Sequence, residues 1–491
     1  MNSNKSDNLN RLAFKSGSGY MLSNILIRSS AILTAPIFTR LLTTSDYGIA
    51  ANFMAWQNIG LVIVGLGLVY SIGNAQIDFP QELDNYIASI QTLGSIIALL
   101  VLGLVIIFRE QLAEFMKLDQ KLVIAIFIYI LFLPSVIFSQ ERYKFLLKYK
   151  QNIYISIFST FGSFLFCLIF ILYVFNNDRY YGRILGLIFP MFLMGAFFYI
   201  NIVRKGWSKN IKKYWSYALK ISIPMIPHSL AMVVLTQIDR IMIIKISGNS
   251  EAGLYSFGFS YAVLLMVFSN AVLLAFQPWV YLSYKRKDFQ SIKSSNNVIA
   301  LSMSALTILI ITVGPEAIKI LGAKEFWDAQ WVVAPIAIGS LFQYVASTYS
   351  SLEQYHKKTI YIAAGSILAA ILNYSLNSTF IPVYGYKAAA FTTFASYFTL
   401  ALFHSYLYKK VCKKRVYDDK YIWIITTATA LLGIFIMELY DYFFIRYLVL
   451  LFVFSVMIIF QKKKVMLVFE MVKSSFFSGS EKSNPIINQK E

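Results

Sequence analysis

Apolar residues run through this chain in long blocks, each closed by a short polar or basic segment. A helix needs roughly 20 such residues to cross the hydrocarbon of a bilayer. The blocks that meet this length lie at 17–42, 47–73, 86–108, 122–140, 152–175, 184–203, 216–246, 253–282, 296–314, 329–351, 359–381, 386–408, 420–437 and 443–460. They predict an all-α integral membrane protein of about fourteen transmembrane helices. Helix is required here, because lipid offers no partner to an open backbone. The first block follows a polar stretch, Met1 to Ser16. It is too long for a signal-peptide core and lacks a small-residue cleavage site, so it reads as a retained helix.

Composition agrees: 58% of the 491 residues are hydrophobic and only 14% are charged, with a mean hydropathy of +0.61. The net charge of +20 suggests nucleic acid at first sight. The cations instead form clusters between apolar blocks, the footprint of loops facing anionic lipid, so the expected partner is the bilayer and no nucleic acid. With the N-terminus inside, the segments assigned to the cytoplasm hold most of the 44 lysines and arginines. They run from Lys5, Arg11 and Lys15 through Arg142 to Lys150, Arg204 to Lys220, Lys285 to Lys293, Lys357 and Lys358, Lys409 to Lys420, and Lys462 to Lys490. One loop dissents, since Asp78 to Asp84 carries acids and no base. Acids weigh little in this rule, and the topology stands, with both termini in the cytoplasm.

The two halves resemble each other. Arg40 is followed by Asp46-Tyr47-Gly48, and Arg240 by Glu251-Ala-Gly253-Leu-Tyr255. Glu110-Gln-Leu-Ala113 finds a counterpart in Glu316-Ala-Ile-Lys319, Lys150 to Ile155 in Lys358 to Ile362, and Tyr181-Gly182 in Tyr384-Gly385. The matches fall in order at nearly one offset, which spans six helices. An even number of crossings gives parallel repeats related by an axis along the membrane normal, with a cavity expected between them. The resulting plan is a cytoplasmic segment at 1–16, a first lobe at 17–203, a basic linker at 204–215, a second lobe at 216–408, a basic loop at 409–419, two further helices at 420–460 and a cytoplasmic tail at 461–491.

Arg28 is the sharpest candidate site residue. It lies about a dozen residues, or roughly 18 Å, into the first span. An arginine at that depth costs at least ~2.5–3.5 kcal/mol on insertion scales, so it must face a cavity, an acid, helix-end carbonyls or an anionic ligand. Arg40 and Arg240 are repeat-related near the outer ends of the first and seventh helices, with Asp46 and Asp239 as candidate ion-pair partners. They read either as an outer gate or as side chains snorkelling to the interface. Pro224 and Pro227 bend the seventh helix, as a hinge or a static kink. Lys220, one turn below, suits an anionic substrate or a lipid phosphate. His228 reads as a packing residue. Cys167 and Cys412, with the scattered His228, His356 and His404, offer no metal-ligand spacing, and neither a cofactor nor a metal is expected. Among catalytic motifs, the Walker loop, the zinc-protease helix and the G-x-S-x-G turn are all missing, so an enzyme is not expected.

The stretch Pro36-Ile-Phe-Thr-Arg40-Leu-Leu-Thr-Thr-Ser-Asp46-Tyr47-Gly48 resembles the start of Wzx-type polysaccharide flippases. These belong to the multidrug/oligosaccharidyl-lipid/polysaccharide (MOP) exporter superfamily, with MurJ lipid flippases and MATE exporters as relatives. Asp239-Arg240-Ile-Met-Ile-Ile with Glu251 to Tyr255 is similar to the matching second-half motif, and Leu321 to Phe326 and Val383-Tyr-Gly385 also fit. The resemblance covers residues 10 to about 410. It implies two six-helix lobes about a cationic cavity, and movement of an undecaprenyl-diphosphate-linked glycan across a bacterial cytoplasmic membrane by alternating access. It places a basic residue such as Arg28 in the first helix, and Lys220 and Arg240 join it as candidate substrate contacts. A polysaccharide polymerase and glycosyltransferases are the implied protein partners. A cation-coupled multidrug exporter would need buried acids, and none is clearly midmembrane by sequence. A membrane polymerase would need longer outer loops. A scaffold for glycan assembly remains the third reading.

Overall fold

The computed structural model describes residues 33–146, 148–206, 210–455 and 459. The apolar blocks become helices. In order they are α1 (33–41), α2 (Thr44–Val64), α3 (Ile72–Asp78), α4 (Leu83–Ile107), α5 (Arg109–Met116), α6 (Gln120–Phe145), α7 (Tyr149–Ile169), α8 (Arg179–Lys205) and α9 (Ile211–Ser222). There follow α10 (Ile226–Ser247), α11 (Asn249–Ala262), α12 (Leu264–Lys285), α13 (Phe289–Leu321), α14 (Gln330–Tyr355), α15 (Thr359–Tyr384), α16 (Tyr386–Cys412), α17 (Asp419–Glu438) and α18 (443–455). Among the described residues no strand occurs.

Polar residues at the ends of these runs start the helices. Thr43 and Asp46 form a reciprocal cap on α2, and the Asp119 carboxylate accepts from the backbone of Lys121 at 2.7 Å to open α6. Such caps satisfy amides that have no partner within the helix. Proline inside α6, α8, α13 and α14 is tolerated because neighbouring helices enclose the freed backbone.

Among the described residues, eleven helical runs are long and apolar enough to cross a membrane. The sequence suggested about fourteen. Most of the first block lies outside the described residues, and α18 is described only to residue 455. The third difference is α16, which is 27 residues long but too polar to join the eleven. Its small and hydroxyl-bearing face, including Ala389, Ala390, Thr392, Thr393 and Ser396, is buried. A helix covered by protein needs less hydrophobicity than one facing lipid. Lipid-facing helices show the opposite pattern: α4 exposes Leu99, Leu100, Leu104 and Ile107.

Packing separates two bodies of core. Buried apolar residues of the first half, such as Phe53, Val123, Ile126 and Ile184, form one cluster. A second, larger cluster gathers Ala35 of α1 and residues from Ala231 to Tyr440 around α14, the most enclosed of the eleven runs. Tyr214 and Ala218 of α9 are buried in a first-half cluster with Tyr86 and Ile87, so the second body begins at α10.

The dissenting acidic loop has its partners in hand. Arg142 makes a two-point contact with Asp84 at 2.7 and 3.0 Å. Tyr214 donates to Glu82 and Tyr217 to Asp78. Each partner comes from a segment assigned to the same side of the membrane. Arg142 neutralises Asp84, and tyrosine hydroxyls from a neighbouring helix hold Glu82 and Asp78, so the partners of these acids lie outside their own loop.

Candidate functional site

The two halves meet along α2, α10 and α11. At one end Thr44 and Ser250 share a hydroxyl contact of 2.6 Å. One turn on, Gly48 and Gly253 face each other: a Cβ on Gly48 would overlap the carbonyl of Asn249, and one on Gly253 the carbonyl of Thr44. The contact is reciprocal, as a pseudo-twofold between repeat-related motifs requires. Glycine permits it by lacking a Cβ. Tyr47 of the first half seats its ring against Phe257 and Phe326 of the second, at 6.1 and 5.6 Å between centroids. Thr39 donates to the carbonyl of Leu321 at 3.0 Å and accepts from the amide of Ala323 at 3.3 Å. These contacts seal the seam on the side that the charge pattern assigns to the outside.

Deeper along the seam, two helices break against each other. Beyond α2 the backbone turns at Leu66 and Gly67, both with positive φ (48° and 61°), before a short 3₁₀ turn at Leu68–Ser71. Opposite it, Ile223–Met225 forms a 3₁₀ turn between α9 and α10. Tyr70 and Ser229 join the two segments by a hydroxyl contact of 2.9 Å. Pro224 lies inside that turn and Pro227 is the second residue of α10.

The buried chemistry lies in the second half. Asp239 is fully buried. One carboxylate oxygen accepts from Asn377 at 2.7 Å, and the other from Tyr255 at 2.5 Å and Thr393 at 2.6 Å. Asn373 and Thr392 complete the ring through contacts to Asn377 and Thr393. A buried carboxylate is tolerable only with such donors. Among the described residues no group of three or more His, Cys, Asp or Glu side chains could hold a metal ion.

The candidate residues from the sequence fall as follows. Arg28 lies outside the described residues. Arg40 is exposed and donates to the carbonyl of Pro36 at 2.5 Å. Asp46 is spent on capping Thr43. Arg240 donates to the carbonyl of Thr236 at 2.8 Å and lies 4.5 Å over the Phe259 ring. The expected pairs of Arg40 and Arg240 with Asp46 and Asp239 are therefore not formed, because helix caps, aromatic faces and neutral donors satisfy each charge locally. Lys220 is exposed on α9. His228 meets Ser366 at 3.1 Å.

Four features escaped the sequence reading. Asn373 and Asn377, one turn apart in an apolar run, were a legible signal of a polar partner. So was Gly65-Leu66-Gly67 as a helix break. Glu353, just past the apolar block at 329–351, is fully buried against His404. Glu316, just past the apolar block at 296–314, pairs with the buried Arg446 of α18.

Solved structures share this arrangement. The lipid II flippase MurJ in an inward closed conformation aligns with a TM-score of 0.68 at 16% identity, covering 92% of this chain and 100% of that one. An inward-facing multidrug resistance MATE family transporter aligns at 0.60 and 12% identity, covering 80% and 96%. A MOP superfamily transporter from Pyrococcus furiosus aligns at 0.57 and 13% identity, covering 82% and 97%. These likenesses show one shared fold, that of multi-helix membrane proteins. No curated protein matches the chain by sequence. A family model described as polysaccharide biosynthesis protein matches residues 14–281, more than half of the chain, and the chain belongs to that family.

Proposed function

We propose that this protein carries undecaprenyl-diphosphate-linked oligosaccharide from the inner to the outer leaflet of a bacterial cytoplasmic membrane, for surface polysaccharide synthesis. The carrying observation is membership of a polysaccharide biosynthesis family in a chain that shares its fold, over 92% of its length, with a lipid II flippase. Polymerase and glycosyltransferases would stand beside it in the same process.

In this reading, the closed seam at Thr44 and Ser250 bars the outer side while cargo enters from the cytoplasm. The polyprenyl tail stays in lipid and the diphosphate head passes between lobes 17–203 and 216–408. Arg28 offsets the desolvation of the diphosphate, and Lys220 receives it at the cytoplasmic rim. Arg240, held by aromatic rings, contributes positive potential rather than direct contact. The paired breaks beside Tyr70 and Pro224 serve as the hinge. Both termini face the cytoplasm.

A cell whose protein carries Arg28→Ala should accumulate lipid-linked repeat units in the inner leaflet and lose surface polysaccharide. Normal surface polysaccharide at equal protein level removes Arg28 from the mechanism. One observation favours a second reading, a cation-coupled drug exporter: Asp239 and Glu353 are the buried acids which that reading needs. Drug hypersensitivity of a deletion strain with intact surface polysaccharide would select it.

A further inference from the structure

Glu353 and His404 form a buried ionisable pair. Both carboxylate oxygens of Glu353 lie 3.0 Å from His404 Nδ1, with the side chains 0% and 3% exposed. The pair bridges α14 and α16, and it sits about a turn from the end of α14 that leads into the Lys357–Lys358 loop. The other ring nitrogen of His404 faces α15 at Gly365, where a Cβ would stand 2.8 Å away. The next residue, Ser366, contacts His228 at 3.1 Å. His228 lies on α10, directly after the break that faces α2. The His404 ring therefore packs against α15 one residue before Ser366, which in turn contacts His228 on α10.

The surroundings leave few other charges to share the burden. Around the pair, α10 presents His228 and α16 itself presents Cys412, which senses the Glu353 carboxylate. The carboxylate of Asp419, at the start of α17, is already held by Tyr408 and Lys409. On α12, Tyr284 meets His356 at 2.8 Å. A carboxylate and an imidazole in contact, away from water, titrate as a unit that gains or loses a whole charge. Burial makes that charge expensive, so the packing that suits one protonation state is strained in the other.

We propose that the Glu353–His404 pair is a proton-binding site, loaded from the basic-loop side, whose occupancy biases α10 through Ser366 and His228 and so sets whether the seam is sealed. The proton enters and leaves unchanged, and no other reactant takes part. The site supplies the differential interaction with two conformations that a carrier needs to be driven. This rests on reading the protein as an alternating-access carrier, and not on which cargo it takes.

The test uses the full chain in lipid nanodiscs, with Cys167→Ala and Cys412→Ala as background. Spin labels go on Lys121→Cys and Lys324→Cys, exposed positions on the outer ends of the two halves. The inter-label distance distribution is measured by pulsed electron resonance at about pH 5.5 and about pH 8.5, which bracket the range in which an imidazole commonly changes charge. The parent should shift its distribution between the two. Glu353→Gln, close to isosteric, and His404→Gln should each hold one distribution at both pH values, while His356→Gln shifts as the parent does. A parent that does not shift, or a Glu353→Gln protein that still does, overturns the proposal. A pair that serves only to hold α14 to α16 would lower stability in both variants and leave the pH response in place. Because no cargo is present, failure here leaves the glycan reading standing, and failure of the Arg28→Ala test leaves this one standing.

Discussion

The two halves repeat one helical plan but bury different chemistry. In the first half, the buried polar groups are amides and hydroxyls: Ser135 donates to Gln91 at 3.1 Å, and Asn52 donates to the carbonyl of Met116 at 2.8 Å. In the second, the buried groups include Asp239, Arg240, Glu353, His404 and Arg446. Among the described residues every buried Asp, Glu, Lys or Arg lies in the second half. A neutral pair asks little of its surroundings, whereas a buried charge demands several fixed donors and responds to any change in them. The contrast assigns charge-dependent energetics to the second body.

The largest effect expected from this contrast is at Asp239. Replacement by alanine strands the donors of Tyr255, Asn377 and Thr393. Unpaired buried donors cost roughly 1–3 kcal/mol each, so Asp239→Ala should lower stability by at least about 3 kcal/mol, with Asp239→Asn milder. Thermal unfolding of the purified protein measures both. An alanine variant that melts with the parent would break the comparison at its strongest point.

The seam comes next. Gly253→Ala places a Cβ against the Thr44 carbonyl, as Gly48→Ala does against that of Asn249. Overpacking of this kind costs about 1–3 kcal/mol, here levied only on the sealed state. Oxidative cross-linking between Thr44→Cys and Ser250→Cys should fall at least about fivefold in either variant, since 1–2 kcal/mol changes a population by roughly 5–30-fold. An undiminished yield would mean that the halves do not separate along this line.

A smaller effect belongs to the first half's own ion pair. Arg142 and Asp84 are 20% and 42% exposed, so water screens them. A double-mutant cycle with Arg142→Ala and Asp84→Ala should give a coupling of about 1 kcal/mol or less, weakening with salt. A value near that of Asp239 would make the first half as charge-dependent as the second.

Much of this architecture was legible in the sequence, and its limits are instructive. Periodicity and length gave the helices, since a span must be apolar wherever lipid touches it. The block at 386–408 marks α16 as well, although its buried hydroxyl face needs no lipid compatibility. The repeat signal at Asp46-Tyr47-Gly48 and Glu251-Ala-Gly253 marked the segments that close on each other, but the ion pairs expected there are absent. Sequence shows that a charge must be satisfied and not by whom; Arg240 found an aromatic ring, and Asp239 found the Asn377 amide and the hydroxyls of Tyr255 and Thr393. Glu353 and His404 are 51 residues apart, and no local pattern announces their meeting.

The smallest effect tests the comparison from its quiet side. Gln91 and Ser135 are buried in the first half and bonded mainly to each other and to Ser95. Removing one leaves the other unsatisfied, but replacing both by apolar residues removes donor and acceptor together. Such double replacements are often nearly neutral. Gln91→Leu with Ser135→Ala should therefore change stability by only about 0.5 kcal/mol, and transport should persist. Matching treatment of Glu353 and His404 should abolish pH-dependent movement even where the fold survives. If the first-half double variant instead stops transport at unchanged stability, then its neutral polar groups take part in the cycle, and the division of labour between the halves is lost.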